Sequence, residues 1–393
     1  MNILYISPSP VTNLHRVRSM DIVHYLTKYH KVHLLYLTDK PVKLAYDILR
    51  SCASVTFVEK TYIQSLASCL RLVFSPTPYE VAYCHCPQME KAIAESIKNN
   101  RIDLVYVKRL RSLGFIENLS ERIPTVVDTT DAMSLFYKRA FLSGDYLKKP
   151  LYFHEWITYR NYEIRAFGKI KHWITCSRLD GMYLKKLSGG KANIHVVPNG
   201  VDIKRFHPMR VREKPFTIAL RGLMDKLVNI DAAIYFVKKI LPLVRKEIPQ
   251  VQLLIVGPNP SLSVRRLSDG VSIRVTGYID NMAELTAQSS LVVCPIRIGT
   301  GTRYKILQSW AMSKPVVSTV LGAEGLRTKH MKNIMLAKAP EEFAHAVVYL
   351  LKNKRIAQQI GRSGKQTVDK YYDMSVVGKK LDQVLSRVVS QTI

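Results

Sequence analysis

The sequence predicts an α/β protein built from two doubly wound parallel-sheet domains. Short apolar runs alternate with helical patterns in the first half, as in NILYIS, VHLLYL, LVYV, TVVD, WITCS and HVVP. The alternation restarts after residue 208 with FTIALRG, VQLLIVG, SIRVTG, LVVCP and PVVST. Strands that alternate with helices are typical of βαβ units and a parallel sheet. The length of 393 residues also exceeds what one hydrophobic core usually serves, so we expect two domains, with the charged stretch Met209 to Lys214 as a linker.

Cysteine usage favours a reducing compartment. The six cysteines are scattered through apolar contexts and form no CxxC pair, which argues against a disulfide framework or a zinc site. Cys84, His85 and Cys86 could suggest a metal site, but we expect them on a strand, where successive side chains point to opposite faces. The sequence therefore predicts no bound metal.

The charge and the start of the chain limit the possible partners. MNILYIS reads as a buried strand without a charged leader or cleavage site, and no run of 18 apolar residues occurs. We therefore expect neither a secretory signal nor a membrane-spanning helix, and a cytoplasmic protein. The net charge of +29 attracts phosphates on nucleic acid, on nucleotides or on anionic lipid head groups.

The segment from Gly299 to Thr319, GTGTRYKILQSWAMSKPVVST, predicts an anion-binding loop. A turn rich in Gly and Thr leads through Arg303 and Lys305 into a short apolar helix pattern. Free N–H groups at a helix start, flanked by two cations, suit an anion such as a diphosphate. The alternative is an ordinary loop–helix–strand unit with two solvated surface cations.

Glycines follow several strands of the second half, and we expect them at one edge of the sheet. Strands there end in Gly222, Gly257, Gly277 and Pro295. Doubly wound domains bind ligands outside the carboxyl ends of their strands, where glycine lets the backbone approach a ligand closely. The alternative is that each glycine serves only a tight turn between strand and helix.

An ordered series of segments resembles glycosyltransferase family 4, the glycosyl transferases group 1. The series reads VVPNGVDIKRFHP (196–208), FTIALRGLMDKLVNIDAAIYFVKKILPLV (216–244), LLIVGPNP (253–260), VTGYIDNMAELTAQSSLVVCPI (275–296) and GTGTRYKILQSWAMSKPVVSTVLGAEGL (299–326). The likeness is looser over residues 1–195, where it rests on the opening strand, Arg18, TPYEV (77–81) and VVDTTDAMS (126–134). Within the family, the chain is most similar to the branch serving bacterial exopolysaccharide and surface-glycan synthesis.

This resemblance implies a GT-B fold, in which two Rossmann-like domains face each other across a cleft. Residues 206–371 would bind a nucleoside-diphosphate sugar, and residues 1–205 would bind the acceptor. The last segment, residues 372–393, is similar to the terminal helix that returns to the first domain. The resemblance also implies transfer with retention of anomeric configuration, without a metal or other cofactor.

The candidate donor-binding residues lie at the strand ends and in the loop of the second domain. They are Arg221, Gly222, Gly257, Gly277, Tyr278, Gly299, Thr300, Gly301, Thr302, Arg303, Lys305, Gln308 and Glu324. A leaving diphosphate gains negative charge in the transition state, so Arg303 and Lys305 are also candidate catalytic residues. Glu324 could instead cap a helix.

The chain departs from the family pattern at four positions. Thr300 and Gln308 stand where the family usually has two glutamates, one facing the donor sugar and one the ribose. Leu223 and Val228 stand where it has an arginine and a lysine after the first donor-domain strand. Phosphate neutralisation would then rest on Arg303, Lys305, the turn amides and Arg221.

Two aspartates and the first loop are the candidates in the first domain. Asp128 and Asp131 follow a predicted strand and are candidate catalytic groups that orient or deprotonate the acceptor hydroxyl. The string DTTD is equally suited to capping a helix. Asn13, His15 and Arg18 fill the loop after the first strand and are candidate acceptor-side residues; the glycine pair of the family is absent there.

Residues 138–191 interleave cations with aromatic side chains. The set comprises Lys138, Arg139, Lys148, Lys149, Trp156, Tyr159, Arg160, Tyr162, Arg165, Phe167, Lys169, Lys171 and Trp173. This composition suits a surface that rests on anionic lipid, which a lipid-linked acceptor would require. Single-stranded nucleic acid binding and a solvated helix face with buried rings use the same residue types.

Three functions fit these observations. The first is a retaining glycosyltransferase at the cytoplasmic face of the membrane, acting on a glycan or lipid-linked acceptor. The second is a nucleotide-sugar-binding protein that has lost turnover, because both loop glutamates are replaced. The third is a basic nucleic-acid-binding protein, which is disfavoured because the sequence contains no recognised nucleic-acid-binding module.

Overall fold

The computed structural model describes residues 1–12, 17–40, 44, 46–71, 76–116, 123–143 and 146–391. The chain divides into two compact units. The first comprises Met1–Gly200 together with the residues from Val377 onward, and the second comprises Val201–Val376. The sequence suggested divisions after residues 205 and 371. No helix within the described ranges has both the length and the apolar character that crossing a bilayer requires.

The first unit contains a seven-stranded sheet in which every pairing is parallel. Its strands are β1 (Asn2–Ser7), β2 (Lys31–Thr38), β3 (Ser54–Glu59), β4 (Leu104–Lys108), β5 (Thr125–Thr130), β6 (His172–Thr175) and β7 (Asn193–Val196). Their order across the sheet is β3-β2-β1-β4-β5-β6-β7. The chain thus winds in both directions from β1, as the sequence predicted.

Strand β3 was not predicted. It lies at the sheet edge, and none of its residues is fully buried. Edge strands lack the continuous apolar run by which the buried strands are recognised.

Eight helices connect these strands within the described part of the first unit. They are α1 (Val17–Tyr29), α2 (Tyr46–Ser51), α3 (Tyr62–Arg71), α4 (Tyr79–Cys84), α5 (Pro87–Asn100), α6 (Met133–Ser143), α7 (Lys149–Lys169) and α8 (Arg178–Ser188). Short 3₁₀ turns cover Leu110–Phe115 and Tyr146–Lys148.

The expectation that Cys84, His85 and Cys86 lie on a strand was wrong. Cys84 ends α4, His85 follows it, and Cys86 immediately precedes α5. Both cysteines are buried in the apolar core of the first unit, whereas His85 is exposed. The three residues that resembled part of a strand are the end of α4 and the turn before α5.

The second unit contains a six-stranded sheet, also parallel throughout. Its strands are β8 (Thr217–Arg221), β9 (Gln252–Val256), β10 (Ile273–Val275), β11 (Leu291–Cys294), β12 (Val316–Thr319) and β13 (Met335–Ala337). The order is β10-β9-β8-β11-β12-β13, so the winding direction reverses between β8 and β11. Strand β13 was missed because only three residues form it.

Seven helices of this unit follow its strands. They are α9 (Leu227–Tyr235), α10 (Leu241–Glu247), α11 (Leu262–Arg265), α12 (Met282–Gln288), α13 (Tyr304–Ala311), α14 (Pro340–Lys352) and α15 (Lys354–Tyr371). Phe236–Ile240 forms a π-helical turn between α9 and α10. The central strands β8 and β11 are buried along their whole length, because helices cover both faces of the sheet.

The last helix, α16 (Met374–Ser390), returns to the first unit. The hydroxyl of Tyr25 on α1 donates to Asp382 Oδ2 over 2.7 Å. Gly378 lies against the ring of Tyr25, where any side chain would overlap the ring. Close packing and a polar contact therefore hold this helix against α1.

Candidate functional site

Three cations lie together at the carboxyl ends of β8 and β11 in the second unit. Arg221 is the last residue of β8, and Arg303 and Lys305 lie at the start of α13. We call these three side chains the basic cluster. Its position is the switch point of the sheet, where doubly wound domains bind ligands.

The guanidinium of Arg221 is buried with two nitrogens unused. Its Nη2 donates to Oε1 of Gln308 over 3.0 Å and lies 3.1 Å from Sδ of Met282. Its Nε and Nη1 are buried without a hydrogen-bond partner. Because an unsatisfied buried donor is costly, two unused donors on one cation indicate a site for an anionic acceptor.

Arg303 and Lys305 have equally few partners. Nη1 of Arg303 donates to the carbonyl oxygen of Thr300 over 2.5 Å, while its Nε and Nη2 are buried and unpartnered. Nζ of Lys305 donates to Oδ1 of Asn229 over 2.7 Å. Among the described residues, no carboxylate forms an ion pair with any member of the basic cluster.

Burial and mutual repulsion shift the titration of these cations. Burial, and then the positive charges of Arg303 and Arg221, lower the pKa of Lys305 to about 8. Burial and the charge of Arg205 lower the pKa of Arg221 to about 10. A cluster that repels itself in this way is the electrostatic complement of a multiply charged anion.

The loop before α13 adopts the backbone conformations that its glycines suggested. Gly299 has φ of 125° and Gly301 has φ of 73°, and the intervening Thr300 is buried, as is Thr302. Only glycine adopts such angles readily, so this segment can curl tightly beside Arg303.

Gly257 has a structural role that the sequence did not show. A Cβ atom built on it would lie 1.7 Å from the carbonyl oxygen of Gly222. Backbone packing between two strand ends therefore requires a glycine here, whether or not a ligand approaches it. At Gly222, a Cβ atom would collide with the side chain of Asn229, which holds Lys305.

The remaining donor-side candidates lie around these strand ends. Gly277 has φ of 69° after β10, and Tyr278 beside it is more than half exposed. Glu324 is half-buried in the turn that follows β12. Their role in donor binding stays a prediction.

In the first unit, Asp128 is a fully buried hub. Its Oδ2 accepts hydrogen bonds from Tyr106 at 2.6 Å, Lys108 at 2.8 Å and Arg18 at 3.0 Å. Its Oδ1 accepts the backbone N–H of Thr130 over 2.9 Å. Burial alone would raise the pKa of Asp128, but Arg18 and Lys108 hold it well below its usual range.

These contacts contradict the catalytic role expected for Asp128. A carboxylate with no exposed surface and two engaged oxygens does not reach an acceptor, and a very low pKa makes it a weak base. Lys108 is equally buried, and burial lowers its pKa to about 7 despite the attraction of Asp128.

Arg18 is likewise a structural residue rather than an acceptor contact. Besides Asp128, its guanidinium donates to the carbonyl oxygens of Val197 and Pro198 and to Oδ1 of Asn199. It therefore ties β5 to the segment after β7. The other two predicted acceptor-side residues, Asn13 and His15, lie outside the described residues.

Asp131 is the better placed of the two aspartates. It follows β5 and is partly exposed, and its Oδ2 lies 3.9 Å from Nη1 of Arg109. Thr130 and Arg109 both have positive φ, 67° and 71°. Strained non-glycine residues at adjacent strand ends are a frequent feature of functional sites.

One group of possible metal ligands occurs beside Asp131 among the described residues. Asp131, Cys176 and Asp180 place ligand atoms within 4.8 Å of one another. Asp180 already accepts the N–H of Ala132 over 3.2 Å and the hydroxyl of Ser177, so its oxygens serve the packing of α8. We assign no metal to this group.

Sequence reasoning missed several residues that the structure places in these two centres. Asn229 and Met282 contact the basic cluster, and Tyr106, Lys108 and Asn199 surround Asp128 and Arg18. A lysine closing the apolar strand LVYVK was the one available signal, since a buried lysine requires a partner.

The predicted lipid-facing aromatic surface was partly wrong. Tyr159, Tyr162, Phe167 and Trp173 lie in the core of the first unit. The buried residues of α7 recur at helical spacing on its inner face, and Trp173 is in the buried strand β6. The rings therefore pack inward, whereas Lys148, Arg160, Arg165, Lys169 and Lys171 stay exposed.

Part of the second unit is similar in sequence to a described protein family. Residues 215–353 match the family described as Glycosyl transferases group 1. An uncharacterised 44.6 kDa protein in the cps region of Klebsiella pneumoniae is 23% identical over 259 residues. That alignment covers 62% of this chain and 63% of the relative, so the chain spans less than two thirds of the relative's length.

Solved structures share the fold over the whole chain. Sucrose-phosphate synthase from Thermosynechococcus elongatus superposes with a TM-score of 0.75 at 15% identity, covering 100% of both chains. Anabaena HepE in complex with UDP and glucose gives a TM-score of 0.68 at 15% identity, covering 98% of this chain and 99% of its own. These likenesses establish the GT-B fold.

Proposed function

We propose that this protein transfers a sugar from a nucleoside-diphosphate sugar, because residues 215–353 match the glycosyl transferases group 1. The acceptor would be a glycan or a lipid-linked glycan. The second unit would bind the donor, and the first unit would bind the acceptor. Asp131 would orient or deprotonate the acceptor hydroxyl from the first unit.

The observation that carries this proposal is the basic cluster. Arg221 and Arg303 together have four buried guanidinium nitrogens without a partner, and Lys305 has one neutral partner. A protein gains nothing in stability from three adjacent cations, one buried and two half-buried, without a counter-charge. A diphosphate supplies the missing charge and the missing acceptors, and guanidinium groups match phosphate geometry with two parallel hydrogen bonds.

The same groups would promote the chemical step. When the bond from the sugar to the diphosphate breaks, negative charge increases on the leaving oxygen. Fixed cations at that position stabilise the transition state more than the bound donor. Because the cluster already supplies this charge, we propose that transfer proceeds without a metal and, as in the resemblance, with retention.

We propose a UDP-sugar as the first donor to examine. HepE, which shares the fold, was solved with UDP and glucose. Gln308 is placed near the cluster through Arg221 and could hydrogen-bond ribose hydroxyls, although it lacks the charge of a glutamate.

We propose surface-polysaccharide synthesis at the inner face of the cell membrane as the cellular role. The relative encoded in a cps region supports this setting. The net charge of +29 supports a peripheral attachment to anionic lipid.

Binding of UDP-glucose and UDP by calorimetry tests the donor site. The double variant Arg303→Ala, Lys305→Ala should lose at least about a hundredfold in affinity, since two charge-assisted contacts vanish. Lys354→Ala with Arg355→Ala removes the same charge from an exposed part of α15 and should bind as the unmodified protein does. Equal affinity in all three proteins would show that the diphosphate does not bind at the basic cluster.

A non-catalytic nucleotide-sugar-binding protein is the second candidate, favoured by Thr300 and Gln308. Both positions lack the carboxylate that the family carries. Product formation from a radiolabelled UDP-sugar, with membrane extract as acceptor, distinguishes the two. Tight donor binding with neither transfer nor slow hydrolysis of the donor would support the second candidate. The same assay with EDTA added would test whether transfer is independent of metal.

A further inference from the structure

Helix α3 turns its apolar side away from the first unit. Tyr62, Ile63, Leu66 and Leu70 are 60%, 78%, 43% and 74% exposed, whereas Ser65 is 3% exposed. Positions spaced by three and four residues share one face of a helix. A surface helix normally buries such a stripe, so α3 is an amphipathic helix packed with its polar side inward. We call these four residues the α3 stripe.

A buried lysine fixes this orientation. Nζ of Lys60 donates to the hydroxyl of Ser68 over 3.1 Å and to the carbonyl oxygen of Tyr83 over 2.7 Å. Lys60 is itself buried, and its ammonium therefore depends on these two acceptors. Rotating α3 to bury the α3 stripe would remove Ser68 from this ammonium, which is costly for a buried charge.

A second group of exposed apolar side chains lies at the start of α7, close to α4, which packs against α3. Helix α3 packs against α4, and Tyr79 of α4 lies 5.3 Å from the ring of His154 on α7. The turn immediately before α7 exposes Tyr146 by 79% and Leu147 by 86%. Two bulky side chains in a turn so open to solvent add to the apolar surface of this part of the unit.

The charge around this turn selects the kind of partner. The chain from Ala132 to Phe153 contains the cations Lys138, Arg139, Lys148 and Lys149 and a single acidic residue, Asp145. Nζ of Lys149 lies 5.5 Å from the ring of Tyr146. Exposed apolar and aromatic side chains flanked by lysines suit the surface of an anionic bilayer. The apolar groups can enter the hydrocarbon boundary while the lysines contact the phosphates of the head groups.

We propose that the α3 stripe and the Tyr146–Leu147 turn dock the first unit onto an anionic lipid bilayer. The apolar side chains enter the interfacial layer, and Lys148 and Lys149 contact the phosphates of the head groups. The inference deepens the proposed function and rests on it for its purpose, because a lipid-linked acceptor would be reached from such a surface. The docking itself requires no donor.

Flotation of the full chain with lipid vesicles tests the docking. Vesicles of phosphatidylcholine alone are compared with vesicles in which about a third of the lipid is phosphatidylglycerol. The triple variant Ile63→Gln, Leu66→Gln, Leu70→Gln should lose at least about tenfold in partition to the anionic vesicles. These side chains are exposed, so thermal melting of the variant should match that of the unmodified protein.

Two further variants complete the test. Leu262→Gln, Val271→Gln, Met331→Gln removes three exposed apolar side chains from the second unit and should float like the unmodified protein. Lys148→Ala with Lys149→Ala should lose about tenfold or more of its preference for the anionic vesicles over the neutral ones.

Three outcomes would overturn the proposal. The unmodified protein could fail to float with anionic vesicles, or the triple variant could float as well as its control. Sedimentation could also show a dimer that the triple variant converts to a monomer, in which case a second copy covers the α3 stripe. UDP-glucose affinity, measured on every variant, is expected to be unchanged. If the unmodified protein did not bind the donor, the proposed function would be wrong, whereas the docking proposal would be unaffected.

Discussion

The ammonium of Lys305 is buried beside two guanidinium groups and has one hydrogen-bond partner, the side-chain oxygen of Asn229. Folding must desolvate this charge and hold it near Arg221 and Arg303, both of which lower its pKa. A bound diphosphate would reverse the sign of that interaction. The side chain thus costs stability in the free protein and contributes to affinity in the complex, as functional residues often do.

Replacing Lys305 by Met should therefore raise the melting temperature of the second unit at pH 7 by about 2–4 °C and weaken UDP binding at least about tenfold. The folded-state pKa of about 8 lies below the ordinary value of 10.5. The penalty is consequently complete below pH 8 and relieved as the pH rises from 8 to 10.5. Melting curves at pH 7 and pH 10 check this: the gain should shrink at the higher pH. A variant that is less stable at pH 7 would contradict the account.

The two aspartates of the first unit should behave in opposite ways when each is changed to Asn. Asp128→Asn leaves Lys108 and Arg18 without their buried counter-charge, so we expect a loss of about 3 kcal/mol or more in the free energy of unfolding. Asp131→Asn touches a partly exposed group, so stability should change by less than about 0.5 kcal/mol.

Transfer rates complete that comparison. If Asp131 assists the acceptor, Asp131→Asn should slow transfer by about a hundredfold at unchanged UDP affinity. Urea unfolding and initial rates measure the two effects. A fully active Asp131→Asn variant would remove this residue from the site.

At the scale of secondary-structure elements, the chain segments that leave β8 and β9 are in direct backbone contact. The Cα of Gly257 leaves no room for a Cβ atom because the carbonyl oxygen of Gly222 is too close. That approach sets the spacing between the end of β8, where the basic cluster lies, and the end of its neighbour β9. Gly222 in turn leaves room for Asn229.

Gly257→Ala should accordingly destabilise the protein by more than about 3 kcal/mol, because the strand ends must separate. Gly168→Ala, at a helical position where a Cβ meets nothing within 4 Å, is the matched control. It should be neutral or stabilising by up to about 1 kcal/mol. Denaturant unfolding followed by circular dichroism measures both, and a neutral Gly257→Ala would disprove the packing argument.

At the scale of the whole molecule, each unit has its own sheet and its own apolar core. Two cores of this kind commonly unfold in separate steps, so one melting temperature need not describe the chain. The basic cluster belongs to the second unit and the Asp128 hub to the first.

Scanning calorimetry should therefore resolve two transitions. Saturating UDP should raise one of them, by the amount that mass action predicts for a ligand of the folded state. Asp128→Asn should lower the other. If UDP and Asp128→Asn shifted one and the same transition, the assignment of the two centres to independent units would be wrong.

The sequence alone determined the fold class. Strands of a parallel sheet are buried on both faces, so each is a continuous apolar run that can be recognised without knowing which strands lie beside it. Eleven of the strand segments were predicted in this way. The turn at Gly299 and the helix start beside Arg303 and Lys305 were predicted from the glycines and the residues that follow them. Anion binding at this turn stays a prediction. The edge strand β3 and the short β13 were not, since neither has a continuous buried run of useful length.

Which polar groups are neighbours was decided only by the tertiary structure. Arg18 and Asp128 lie 110 residues apart in the chain, and Arg221 and Gln308 lie 87 apart. The same Asp and Arg side chains serve as catalytic groups or as buried ion pairs, and only packing distinguishes the two. Burial is a property of the surroundings, so the inward serines and outward leucines of α3 also became visible only once the chain was folded.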